Sequence, residues 1–380
     1  MATITDHTPL LENNNGPGAR SFVCRIVDML KADGQPSWLA SYRFFLFGSW
    51  LNALLMAIPL SFVAHAYDWD AAFCFTFSFI AIMPLAALLG TAMDQMSMQA
   101  GQTLSVLLNA TFGNALELIV GFTALFKGFV WSHVPRHCET KIRFPDELRI
   151  VQTSMLGSIL SNLLFVLGSS FLLGGFLKDS KYNETAAQVS CSLMTLTCIT
   201  LVVPAAYHNA QTHGVGFIDG AIPTKTGYLI DGTNLDGDAE FGLRFISRGT
   251  SILLLLVYLG YIIFKLKTHA ALFEAESAQI EEESQQMNIP AATLALLLVT
   301  VLTSFCANYL VASIEETAEN YRISRLFIGL ILLPIVENAA GQIMSIRMAR
   351  KDKMEITIGI CVGGAIQVSA FVIPLLVIIG

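Results

Sequence analysis

Nine stretches of this chain, each about 20 residues or slightly more, are apolar at nearly every position: roughly 44–66, 70–91, 102–126, 149–177, 186–207, 244–266, 290–313, 322–348 and 354–379. A run of that length covers the hydrocarbon core of a bilayer as a helix, so each is expected to span a membrane. The polar positions inside the runs carry the more specific information. Runs 102–126, 149–177, 322–348 and 354–379 place Gly, Asn, Gln or Ser where a lipid-facing helix would carry Leu or Ile. Lipid offers no partner to polar or backbone groups, so these positions must face protein or water. The expected fold class is an all-α polytopic membrane protein.

Composition and charge agree with this pattern. Only 13% of the residues are charged, about half the share of a soluble domain, and mean hydropathy is +0.61. The net charge of −7 gives no reason to expect a nucleic-acid partner. Seven cysteines (Cys24, Cys74, Cys138, Cys191, Cys198, Cys306 and Cys361) show no spacing of a disulfide framework or zinc site, and most lie in apolar runs where a thiol packs as a small hydrophobe. The polar first 40 residues contain no early apolar core, so a cleaved signal peptide is not expected.

Basic residues set the expected orientation. Arg20, Arg25, Lys31 and Arg43 precede the first run and place the N-terminus in the cytosol. Lys178 and Lys181, Lys265 and Lys267, and Arg347, Arg350 and Lys351 then mark cytosolic ends. The opposite loops are acidic, with Asp68 and Asp70, Asp231 to Glu240, and Glu315, Glu316 and Glu319. Loop 127–147 departs from the rule through Lys127, Arg136, Lys141 and Arg143. Its His133 and His137 lack partner ligands and make no metal site. Residues 273–286, FEAESAQIEEESQQ, are expected to form a solvated acidic helix, with Glu281, Glu282 and Glu283 as a regulatory or cation-attracting element. The expected organisation is a disordered cytosolic tail at 1–41, a first transmembrane helix at 42–69, a first repeat of five helices at 70–268, the acidic linker helix at 269–288, and a second repeat of three helices at 289–380.

Two of the runs resemble damaged copies of one another. Gly113-Asn114-Ala115-Leu116-Glu117 aligns with Glu337-Asn338-Ala339-Ala340-Gly341, with the asparagine kept and the glycine and glutamate exchanged. Related halves that each contribute an interrupted helix at the bilayer midplane are the plan of inverted-repeat transporters. Gly113 lets a helix backbone open, Asn114 and Asn338 offer an amide or a neutral oxygen, and Glu117 and Glu337 supply charge for a hard cation such as Ca2+. An ionisable residue at membrane depth is costly, which makes Glu117 a candidate cation and proton ligand. Desolvation raises a carboxylate's proton affinity and a bound cation lowers it, so one such site can hold either. Ser158, Ser161 and Asn162 fall three and four residues apart, on one expected helix face that could line the site, and Gln367 occupies the corresponding part of the last run. Glu337 lies four residues before Gly341, an expected shift of about 6 Å along one helix face.

GQTLSVLLNATFGNALELI followed by RIVQTSMLGSILSNLLFVLG resembles the first repeat of the CAX-type cation/proton exchangers, of fungal vacuolar type. SRGTSILLLLVYLGYIIFKLKTH at 247–269 is similar to their sixth span, and LILLPIVENAA resembles their second repeat. The resemblance covers nearly all of residues 40–380 and implies an inverted-repeat antiporter fold. It also implies a vacuolar or similar endomembrane location and export of cytosolic Ca2+, with Mn2+ as a further cargo, in exchange for lumenal H+. No cofactor beyond the transported ions is implied; membrane lipid and a homo-oligomer are the expected partners. The family carries one site glutamate per repeat, and Glu117 matches the first.

Three departures stand out. The family's second motif reads Gly-Asn-Ala-Ala-Glu-His, where residues 337–342 here read Glu-Asn-Ala-Ala-Gly-Gln. The family has eleven spans, and the sequence holds nine. Residues 128–146 lengthen a connection that is short in the family. A gene prediction that keeps an intron and lacks a last exon would explain the latter two. The alternative function is a transport-inactive or regulatory relative lacking the second-repeat glutamate. No nucleophile elbow, His-Glu-x-x-His pair or phosphate loop supports an enzyme.

Overall fold

A chain inside a bilayer must satisfy its backbone hydrogen bonds within itself, and apolar runs of this length do so as helices. The computed structural model describes residues 36–100, 102–132, 143–176, 182, 184–213, 235–269 and 285–380. Residues Glu281, Glu282, Glu283, His133 and His137 lie outside the described residues. Among the described residues, six helices are long and apolar enough to cross a membrane, and three bent pairs bring the number to as many as nine. In chain order the spans are α1 (Trp38–Phe47) with α2 (Trp50–Ala66), α3 (Ala71–Met98), α4 (Val106–Phe112) with α5 (Ala115–Phe126), α6 (Arg149–Gly175), α7 (Glu184–Tyr207), α8 (Phe241–Thr268), α9 (Ile289–Asn320), α10 (Arg325–Glu337) with α11 (Ala339–Arg350), and α12 (Met354–Ile379). Each overlaps one of the nine apolar runs. Three tight connections, between α2 and α3, α9 and α10, and α11 and α12, pass through left-handed backbone at Asp68, Arg322 and Asp352.

The first span differs from the expected single helix at 42–69. Helix α1 already begins at Trp38, where Ser37 Oγ accepts the Ala40 N–H at 3.3 Å, so the start lies inside the segment expected to be a disordered tail. The chain then turns by 88° before α2. A bend frees carbonyls from the helix ladder, and buried Asn52 compensates by donating Nδ2 to Phe45 O at 2.9 Å and Leu46 O at 3.0 Å. Apolar periodicity carries no signal for such a bend, because both arms remain apolar.

Helices α3 and α9 form the most extensive interhelical contact. Helix α12 is the most buried of the long helices, and α6 turns one face inward. In its apolar window α12 is 50% buried, whereas α7 and α8 are 17% buried, so α7 and α8 form the lipid-facing rim. From Met354 to Val377, α12 has no fully exposed residue. Fully buried Ile82, Ile314, Ile328, Val336, Ile366 and Val368 fill the spaces between the inner helices. Helix α6 packs against α10 at backbone range: a Cβ at Gly157 would strike Leu330 O, and one at Gly329 would strike Thr153 Oγ1. Small residues allow this approach, which supplies the dispersion contact that drives helix association in lipid.

The segment after the acidic stretch is fixed rather than helical. Gln95 Oε1 of α3 accepts the N–H groups of Gln286 and Met287 at 2.8 and 3.0 Å. Asn288 caps α9 by accepting the Ala291 N–H at 2.8 Å, and its Nδ2 donates to Pro36 O at 3.1 Å. Gln95, Met287 and Asn288 are all buried.

Two stability outcomes follow from this packing. Gln95→Leu removes the acceptor that the Gln286 and Met287 N–H groups share, at a cost of about 1–3 kcal/mol, and should lower the unfolding midpoint in detergent micelles by several degrees. Gly157→Val should cost about 1–3 kcal/mol through overpacking and lower the yield of monodisperse protein. An unchanged midpoint and yield would contradict the backbone-range contact.

Candidate cation site

Both members of the aligned pair are broken helices. Helices α4 and α5 meet at 48°, α10 and α11 at 59°, and the breaks fall at Gly113-Asn114 and at Asn338. The asparagine is therefore the true register of the two copies. At each break it performs the same local task. Asn114 Nδ2 donates to Ala110 O at 3.1 Å and Asn338 Nδ2 donates to Pro334 O at 3.0 Å, in each case the carbonyl four residues back. A hydrogen-bonding side chain thus compensates the interrupted ladder where water is scarce. Gly113 is required by sterics, since a Cβ there would strike Asn109 O.

Each asparagine also reaches the opposite half. Asn114 Nδ2 donates to Gln367 Oε1 of α12 at 2.9 Å. Asn338 Nδ2 donates to Ser158 Oγ of α6 at 2.9 Å, and Asn338 Oδ1 accepts from Asn162 Nδ2 at 3.3 Å. Asn162 and Gln367 are thus structural counterparts, each touching the other half's asparagine. Both lie where a helix widens by a π turn, over Ser161–Val166 in α6 and immediately before Val368–Val372 in α12. Such widenings recur at functional sites.

The carboxylates meet at this crossing. Glu117, 5% exposed, sits in the first turn of α5, where the helix dipole favours a negative charge. Its Oε1 accepts from Ser158 Oγ at 3.1 Å. Glu337, the last residue of α10, places both carboxylate oxygens 3.1 Å from Ser154 Oγ. Ser154 and Ser158 lie one helical turn apart on α6, so the two carboxylates meet the same face of that helix. Among the described residues neither has a basic partner.

Glu117, Asn114, Gly113, Asn338, Glu337, Ser158, Asn162 and Gln367 are therefore brought into one cluster. Ser161, also expected in the lining, is buried at the start of the π turn, and its Oγ has no hydrogen-bond partner among the described residues. Glu337 also does not share a helix face with Gly341, because the 59° break lies between them. Sequence reasoning missed Ser154. Its position four residues before Ser158 was the available signal.

The described residues contain no group of three or more His, Cys, Asp or Glu side chains placed to hold a metal. The donors at the crossing are two carboxylates with amide and hydroxyl oxygens, a set suited to a hard cation.

The profile of the sodium/calcium exchanger protein family matches residues 71–267 and 291–380. The vacuolar calcium ion transporter of Schizosaccharomyces pombe is 36% identical over 338 residues, covering 88% of this chain and 72% of its own. Vacuolar cation/proton exchanger 2 of Oryza sativa subsp. japonica is 35% identical over 352 residues, 90% of this chain and 71% of its own. The solved structure of the Ca2+/H+ antiporter YfkE superposes with a TM-score of 0.61 at 28% identity, covering 88% of this chain and 81% of that one. The all-helical inverted-repeat fold and the two broken spans thus agree with the sequence likeness: the chain belongs to the sodium/calcium exchanger protein family.

Proposed function

We propose that this protein is a secondary transporter that exchanges cytosolic Ca2+ for lumenal H+ across the vacuolar membrane. The observation that carries this reading is the pair of carboxylates, Glu117 and Glu337, bound to serines one turn apart on α6 with no basic partner among the described residues. Two negative charges brought together in a low-dielectric interior repel strongly. Their charge is balanced by one divalent cation or by two protons, and the alternation between those occupancies is exchange. The S. pombe and rice relatives are named as vacuolar calcium and cation/proton transporters, and YfkE as a Ca2+/H+ antiporter.

In this reading Glu117 and Asn338 are the primary Ca2+ contacts, with Glu337, Asn114 and the backbone at Gly113 completing the site. Asn162 and Gln367 hold the asparagines in place across the two halves. Mn2+ takes the same oxygen donors and is the expected competing cargo. The breaks provide the moving element: rocking of the α4–α5 and α10–α11 pairs around α6 and α12 would open the crossing to alternate sides.

Vesicles containing the protein with an acidic interior should take up radioactive Ca2+, and an ionophore that collapses the proton gradient should stop the uptake. Glu117→Gln removes the charge with almost no change in shape and should reduce uptake to the vesicle background. Gradient-independent uptake, or full uptake by Glu117→Gln, would overturn this reading.

A further inference from the structure

We propose that Glu337 and Ser154 form the second half of the cation site in this chain, displaced across the helix break from the place that internal symmetry assigns. The inference rests on the exchange reading above for its cargo but on the geometry for its location. In the first half the carboxylate lies three residues after the asparagine, at Glu117, and meets Ser158, four residues before Asn162. Applying the same steps to the second half leads from Asn338 to Gly341, and from Gln367 back to Gly363. Neither position has a functional group, and a Cβ built at either meets nothing within 4 Å. The symmetric half-site has therefore lost its carboxylate and its hydroxyl together.

The carboxylate reappears one residue before Asn338, and its hydroxyl partner is supplied by the other repeat. Glu337 lies at the C-terminal end of α10, where the helix dipole is negative and favours a bound cation beside the carboxylate. Ser154 is buried, and the Gly157 and Gly329 contacts that hold α6 against α10 fall in the turns of α10 preceding Glu337. Both halves of the site thus lean on one helix, α6. Ser154 acts as a positioning residue: its hydroxyl, within 3.1 Å of both oxygens, fixes the orientation of the Glu337 carboxylate.

Calorimetric titration of the purified full-length protein with CaCl2, run beside vesicle transport, tests this assignment. Glu337→Gln should weaken Ca2+ binding by at least about tenfold, and Ser154→Ala by about three- to tenfold, the scale of a hydrogen bond to a charged group. Ser154→Thr keeps the hydroxyl and should restore affinity. In transport, Ser154→Ala should raise the KM for Ca2+ while leaving the maximal rate nearly unchanged, a split that a general packing defect would not give. Gly341→Ala should bind Ca2+ as the unaltered protein does. Wild-type affinity in Glu337→Gln, together with weakened binding in Gly341→Ala, would overturn the proposal. Loss of binding in Glu337→Gln by a protein that shows no gradient-driven uptake would support this site and remove the exchange reading instead.

Discussion

The asparagines at the two breaks and the two carboxylates beside them are held by side chains of other helices, and α6 is the helix on which most of those partnerships meet. Its Ser154, Ser158 and Asn162 receive Glu337, Glu117 and Asn338, from both broken spans. This is possible because α6 approaches α10 at backbone range across Gly157 and Gly329. A larger side chain at either glycine would separate the helices and take the Ser154 hydroxyl from the Glu337 carboxylate, which is costly in a medium of low dielectric. The glycines thus matter for the site through distance rather than through any contact with cargo.

The two halves are equivalent in backbone and unequal in chemistry. Asn114 and Asn338 perform matched tasks, returning to the carbonyl four residues back and crossing to the opposite half. The carboxylates break this symmetry: Glu117 begins a half-helix and Glu337 ends one. The dipole therefore favours negative charge at the first and positive charge at the second. A site built this way distinguishes its two ends by backbone geometry alone, and its carboxylates need not be interchangeable during a transport cycle.

Away from the crossing, the structure separates a polar interior from an apolar rim. Helices α7 and α8 show lipid large side chains such as Ile199, Val202, Leu253 and Leu256, while α12 shows none before its last residues. The segment that follows the acidic stretch is fixed to α3 through Gln95 and to the start of α1 through Asn288. That anchorage ties the chain between the two halves to helices outside the crossing, so rocking at the breaks need not disturb it.

The sequence by itself determined the helical spans and the two interrupted copies, and it marked Glu117 as a carboxylate at membrane depth. Run length against bilayer thickness and the cost of a buried charge are local properties of a stretch of chain. The bend before α2 was not legible, because an apolar run looks the same whether straight or turned. Nor was the π turn at Ser161–Val166, since it shifts the helical period without a compositional mark. Position 337 was the deepest ambiguity: on a continuous helix Glu337 would share a face with Gly341, and only the break at Asn338 sends it to Ser154 instead. That decision belongs to tertiary structure, because a carboxylate buried in a membrane protein settles where a donor from another helix can reach it.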